Sequence, residues 1–274
     1  MLYIAVVLYN KRISEIASLE NVFSFSSSVG NGNTKLIVVD NSDDERNKSD
    51  REHKVIIDND IEYIYNNGNI GLSKAYNKAL KYALGCSGDI NSDYILFVDD
   101  DTPFSEGYYS RIYEAVTDPV RKTDGVNVIT GIISSGGRSM SPTKGFRFKF
   151  SDNDYIKSNG IYEDITCISS GMAVRLDALK KIDGFEEKLF LDMIDYTMLY
   201  RLSEKKLCRV LVSEAEAVQN FSGRDEKDKN ALLRRYDIYK KDFSTYCKIT
   251  GKGALYRNLH LLKRRIAISI ASSK

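Results

Sequence analysis

Short apolar runs alternate with helix-periodic stretches over the first hundred residues, and the runs stop at polar or acidic residues. Residues 2–8 are continuously apolar, and Ile13, Ile16, Leu19 and Phe23 follow at helical spacing. Residues 36–39 end in Asp40, and residues 94–98 end in Asp99-Asp100-Asp101. Between them Leu72, Ala75, Tyr76, Ala79, Leu80, Ala83 and Leu84 recur at the interval of an amphipathic helix. Alternation of this kind predicts an α/β fold with a doubly wound, mostly parallel, Rossmann-like sheet. Ligands of such sheets bind outside the carboxyl ends of the strands, where Asp40 and residues 99–101 fall.

The remaining pattern is less regular. Residues 55–57 and 61–65 read as short strands, 126–133 as a strand, and 134–145 as a Gly/Ser-rich loop over the surface or the substrate. A short helix is expected from Arg175, a turn at Asp183-Gly184-Phe185, and a helix over about 193–205. Two helices close the chain, with Leu232, Tyr236, Tyr239, Phe243 and Tyr246 on one and Leu255, Leu259, Leu262 and Ile266 on the other. The expected organisation is a domain over 1–223 and a basic, amphipathic helical extension over 224–274.

Composition narrows the chemistry. With 42% hydrophobic and 28% charged residues the chain can build a core, and no apolar run approaches the roughly 18 residues of a membrane span. His53 and His260 are the only histidines, and Cys86, Cys167, Cys208 and Cys247 are far apart, which argues against zinc and dithiol sites. The apolar start lacks a basic leader and a small-residue cleavage site, so a cytoplasmic protein is expected. Residues 224–274 carry 14 Lys/Arg and 5 Asp/Glu, a net of +9, against −7 for the rest (26 basic, 33 acidic). A basic tail on an acidic body suggests an anionic surface as the tail's partner, or simply a solvated helical face.

Two carboxylate clusters could carry chemistry. Asp99, Asp100 and Asp101 repel one another unless a cation is present, and oxygen ligands at this density suit Mg²⁺ or Mn²⁺ with substrate phosphates. The other reading is an acidic turn in which Asp101 or Thr102 caps the helix that begins near Ser105. Asp192 and Asp195 open the helix near 193; each could be a cap, or one could be a general base beside the apolar Phe185, Leu189, Phe190 and Leu191. Arg201 could be a partner of this cluster or belong to a surface ion pair.

Taken in order, these segments resemble the inverting glycosyltransferases of family 2, with their GT-A fold, and most closely a bacterial rhamnosyltransferase-like branch. The resemblance covers about 2–223. It is carried by Val6-Val7-Leu8-Tyr9-Asn10, by Ile37-Val38-Val39-Asp40-Asn41-Ser42, and by the segment from Asn67-Gly68-Asn69-Ile70-Gly71 to Asn77. Phe97-Val98-Asp99-Asp100-Asp101-Thr102 is similar to the D-x-D element. Ser170-Gly171-Met172, Gly184-Phe185-Glu186-Glu187 and Phe190-Leu191-Asp192-Met193-Ile194-Asp195 with Arg201 are similar to the acceptor-side segments.

The resemblance implies that Asp195 is the catalytic base and that Asp101 binds Mn²⁺ or Mg²⁺. Tyr9, Asn10, Asp40, Asn67, Gly71, Asn77, Asp99, Asp100, Gly171, Asp192 and Arg201 would surround the substrates. Asn220 stands where the family commonly has a metal- or diphosphate-binding His. The implied donor is deoxythymidine diphosphate-rhamnose, or a uridine diphosphate hexose or galactofuranose; the implied acceptor is a bacterial surface glycan, lipid-linked. A metal-dependent phosphohydrolase and a binding module with a decayed site are the alternatives. No nucleic-acid partner is expected. The apolar stripe Leu255/Leu259/Leu262/Ile266, with Lys263 and Arg265 beside it, fits an anionic membrane surface at the inner face of the cell membrane, packing on the catalytic domain, or a homodimer.

Overall fold

A computed structural model describes residues 1–30, 32–122, 124–146, 151–219 and 229–271. In chain order the elements are β1 (Leu2–Leu8), α1 (Leu19–Phe25), β2 (Thr34–Asp40), α2 (Asp50–Asp58), β3 (Glu62–Tyr65), α3 (Leu72–Cys86), β4 (Tyr94–Asp99) and α4 (Glu106–Thr117). There follow β5 (Val128–Ser135), β6 (Arg138–Ser141), β7 (Thr143–Lys144), β8 (Gly160–Glu163), β9 (Ile165–Thr166), β10 (Met172–Arg175), α5 (Leu176–Lys181), α6 (Ile194–Glu204), β11 (Arg209–Val218), α7 (Lys229–Ile249) and α8 (Ala254–Ala271). Among the described residues one sheet runs β3-β2-β1-β4-β10-β5-β11-β8, with β6 beside β5.

Its first four strands are parallel, and β10 enters antiparallel between β4 and β5. The order turns back at β1, which lies between β2 and β4, so a crevice opens above their carboxyl ends. β1 is apolar throughout because both its faces are covered. Tyr3 and Ala5 join the core under α3, α5 and α6, whereas Leu2, Ile4, Val6 and Leu8 join the core under α1 and α4. A third, smaller core of Tyr236, Tyr239, Phe243, Tyr246, Cys247 and Leu261 joins α7 to α8 and reaches Met193 and Tyr196 at the start of α6.

Two local expectations are corrected. Residues 55–57 are not a strand but the last turns of α2. Ser49 caps that helix by accepting from the Glu52 N–H, and Val55 and Ile56 pack inward while Ile57 faces out. Residues 134–145 are not a loop but largely the β5–β6 hairpin, turned at Gly136-Gly137, whose positive φ angles suit a two-residue turn.

Candidate active site

The strand ends build one wall of a cleft of about 760 Å³. Tyr9, after β1, lies on that wall, and the adjacent Asn10 is left-handed and fixed by its N–H to Ser42 Oγ at 2.9 Å. Asp99, the last residue of β4, and Asp100 and Asp101 after it enter the same cleft. Lys11 Nζ donates to Asp100 at 2.8 Å. Gln219 Nε2 donates to Asp99 Oδ2 at 3.0 Å, and the Asp99 N–H donates to Ser170 Oγ at 3.1 Å. Burial pushes the Asp99 carboxyl up to about 6, and the negative charges of Asp101 and Asp100 add to the shift. Ser105, not Asp101 or Thr102, caps α4, accepting from the Tyr108 N–H at 3.1 Å.

A second wall is made by Phe190, Leu191, Asp192 and Asp195, with Arg235 and Ile238 of α7. Met193, left-handed at φ 63°, precedes the first residue of α6 and supplies no side-chain cap. Asp195 Oδ1 accepts from the Tyr196 N–H at 2.8 Å. Burial raises its carboxyl to about 6 and the Asp192 charge adds to this, so Asp195 is a stronger base than an exposed aspartate yet is ionised at neutral pH. Asp192 is not a cap either: both its oxygens accept from the Arg235 guanidinium, one of them at 2.7 Å. A carboxylate cluster at a strand end and a desolvated base thus face one cavity.

The sequence pattern of glycosyl transferase family 2 matches residues 3–183. The chain belongs to glycosyl transferase family 2. No curated protein matches the whole-sequence comparison. Among solved structures, a mannosyltransferase (PcManGT) from Pyrobaculum calidifontis in complex with GDP-Man and Mn²⁺ superposes with a TM-score of 0.58 at 14% identity, over 99% of this chain and 73% of that one. GalNAc-T7 with UDP, GalNAc and Mn²⁺ gives 0.61 at 11% identity, over 98% and 54%. TarS of S. aureus gives 0.56 at 16% identity, over 90% and 39%, so the chain spans well under half of that protein. At these identities the likeness shows the fold, which is GT-A, and the family membership makes the chain a glycosyltransferase.

In the transferase the other expected residues divide. Asp40 is fully buried and its oxygens accept from Ser42 N–H, Asn47 Nδ2 and Tyr63 Oη at 2.7–2.8 Å, so it organises the loop after β2 and leaves Asn41 to line the cleft. Gly71 opens α3 at φ 88°, and a Cβ there would lie 2.8 Å from the Phe190 ring: its close approach is to the second wall. Asn77 is held by the Phe185 backbone in both directions, and Arg201 donates to the carbonyls of Ile182 and Gly184. Both brace the 182–187 turn and neither lines the cleft. Among the described residues Arg201 is therefore neither in a surface ion pair nor a partner of Asp192. Gly171 packs under Tyr108, whose hydroxyl donates to its carbonyl at 2.7 Å, and Asn67 is exposed at the turn before α3. Asn220 lies outside the described residues.

Sequence reasoning missed Gln219, Arg235, Asn41 and Asn69 as cleft residues. Asn41 and Asn69 lie inside the segments that carry the family resemblance. For Arg235 the sequence held only a basic helix, with nothing to pair it with Asp192.

Proposed function

We propose that this transferase moves one sugar, with inversion, from a nucleotide-sugar donor to a hydroxyl of a bacterial surface glycan carried on a lipid. The observation that carries the reading is the single cleft with the β4 carboxylates on one wall and the raised Asp195 on the other. Asp195 takes the proton from the acceptor hydroxyl as its oxygen bonds to the anomeric carbon. The bond from that carbon to the phosphate oxygen breaks, and the nucleoside diphosphate leaves with the electron pair.

A divalent cation fits the first wall. Among the described residues no group of three His, Cys, Asp or Glu side chains is placed to hold a metal ion. The cation proposed needs fewer protein ligands, because Mg²⁺ and Mn²⁺ sites can take one or two carboxylates and complete their shell with substrate phosphates. Asp99, raised by burial among negative neighbours, is a carboxylate whose charge a cation would stabilise, and Asp101 would share it. Bound there, the metal supplies charge neutralisation for the departing diphosphate.

For the donor sugar, the apolar cleft residues Ile168, Phe190, Leu191 and Ile238 support a deoxyhexose such as rhamnose, whose methyl group they would cover. The lipid-linked acceptor is supported by α8. Leu255, Leu259, Leu262 and Ile266 are 50–74% exposed, so the stripe does not pack on the catalytic domain as one reading of the sequence had it. Helical geometry puts Lys263 and Arg265 about 80° to either side of the stripe. Such flanks suit an anionic leaflet, whereas a second copy docked there would meet like charges. The test is a donor screen that measures nucleoside diphosphate release with and without Mn²⁺ and acceptor. Release that needs the metal but ignores the acceptor would replace this reading with a metal-dependent phosphohydrolase.

A further inference from the structure

Asp242 is a carboxylate only 1% exposed, on the face of α7 turned to the catalytic segment. It receives three successive backbone donors. The Phe190 N–H meets Oδ1 at 2.9 Å, and the N–H groups of Leu191 and Asp192 both meet Oδ2 at 2.8 Å. Successive N–H groups curled round an anion form a nest, here filled by a side chain of the same chain. About two helical turns towards the start of α7, Arg235 closes on the carboxylate of Asp192, the last residue of the nest. On the other side the Phe190 carbonyl accepts from the Leu72 N–H at 2.7 Å, at the glycine-opened start of α3. The segment leading into Asp195 is thus tied at consecutive residues between α3 and α7.

We propose that Asp242 is a positioning residue for catalysis: through the nest it fixes the 190–192 backbone and so sets where Asp195 stands in the cleft. A buried carboxylate is tolerated here because the segment supplies its donors. A segment that swung away would leave that charge without partners, so one conformation is strongly favoured. The left-handed Met193 sits directly after the nest, and a bulky residue holds that backbone only when its surroundings impose it. Asp242 lies beyond the family-matched residues 3–183, as Asp195 itself does, and on this proposal α7 serves the base. The proposal rests on the reading of Asp195 as the base.

Asp242→Asn tests it, because the amide keeps the size but replaces one acceptor oxygen with a donor that opposes the backbone N–H groups. The expected result is a folded protein with kcat lowered by about 10- to 100-fold, as misplacement of a catalytic group by around an ångström does, and with donor KM and nucleoside diphosphate affinity within about twofold. A folded variant with unchanged kcat, or one whose nucleotide binding falls in step with kcat, would overturn the proposal. Amide hydrogen exchange of the unaltered protein decides the matter should the variant misfold. Amides 190–192 are expected to be protected like those of α7, and exchange at the rate of an exposed loop would overturn the anchor. If Asp195→Asn keeps its activity while 190–192 stay protected, it is the base assignment that has failed and not the anchor.

Discussion

At the β4 wall of the cleft, Asp99 is delivered by its own strand: the apolar run from Tyr94 ends, the sheet's edge is reached, and the next three side chains enter the cavity. At the α6 wall, Asp195 owes its place to residues far along the chain, with Asp242 fifty positions beyond the last amide it holds. Burial brings both carboxyls to about 6, but their surroundings differ. Asp99 stands among like charges with amide and hydroxyl partners, which suits a cation. Asp195 stands buried against backbone donors, and its charged carboxylate neighbour, Asp192, is paired with Arg235, which suits accepting a proton. Similar acidity thus serves two roles because the neighbours differ.

Removing the base should separate the walls most sharply. Asp195→Asn keeps an oxygen for the Tyr196 N–H but cannot take a proton at neutral pH. Transfer should fall by roughly 10²- to 10⁴-fold while nucleotide affinity stays near that of the unaltered protein. The stability change has a definite sign. A carboxyl whose folded value is raised favours the protonated fold, so its ionisation costs stability as pH climbs from about 4 through 6. The melting temperature of Asp195→Asn at pH 7 should therefore be equal or higher, and a marked drop would make Asp195 structural.

Asp101→Asn strikes the first wall. Turnover should fall by about 10²-fold and most of the response to Mn²⁺ should vanish, with folding retained. Activity and metal response equal to those of the unaltered protein would remove the cation from that wall.

The contrast between the walls also marks what could be read from sequence. β1, β2, β4 and α3 were legible because each is a local pattern, a solid apolar run or a helical repeat that one layer of packing explains. The triplet at 55–57 misled because three apolar residues fit a strand or a helix equally, and the deciding signal was the Ser49 cap before it. Site roles were less legible. Asp40 is placed correctly at a strand end, yet nothing local tells that Asn47 and Tyr63 consume its oxygens. Arg201 and Arg235 are both helical arginines; one grips the carbonyls of a turn and the other a cleft carboxylate, and only the fold distinguishes them.

A smaller effect sharpens the second wall. Transfer needs ionised Asp195, so kcat/KM should fall about tenfold per unit as pH drops below 6 and level off above 7. Asp99 is raised into the same range and could give a similar limb. Arg235→Gln tells them apart. It leaves the Asp192 charge unanswered, and that charge is one of the causes that raise Asp195, so the limb should move to higher pH by under about one unit. An unmoved limb would assign the titration to the β4 wall.

The least expected effect on chemistry comes from α8, and its value lies in that. One face of the helix is committed to α7: Leu261 is buried there, His260 stacks on Phe243 with ring centroids 4.3 Å apart, and the Arg264 guanidinium lies 3.7 Å from the centre of the Tyr239 ring. Deleting the helix would uncover the core that steadies Asp242, so loss of activity in a truncated chain would not speak about membranes. Leu259→Ser with Leu262→Ser alters only the exposed stripe and spares that packing. Turnover on a short soluble acceptor should stay within about twofold, since neither residue touches the cleft. Binding to vesicles of anionic lipid should fall strongly, because burial of the stripe is the part of the attraction that salt does not screen, while Lys263 and Arg265 supply a part that added salt weakens. Vesicle binding that survives the double substitution would take the membrane away from this face, and self-association that strengthens with added salt and is lost in the double substitution would point to a second protein copy in its place.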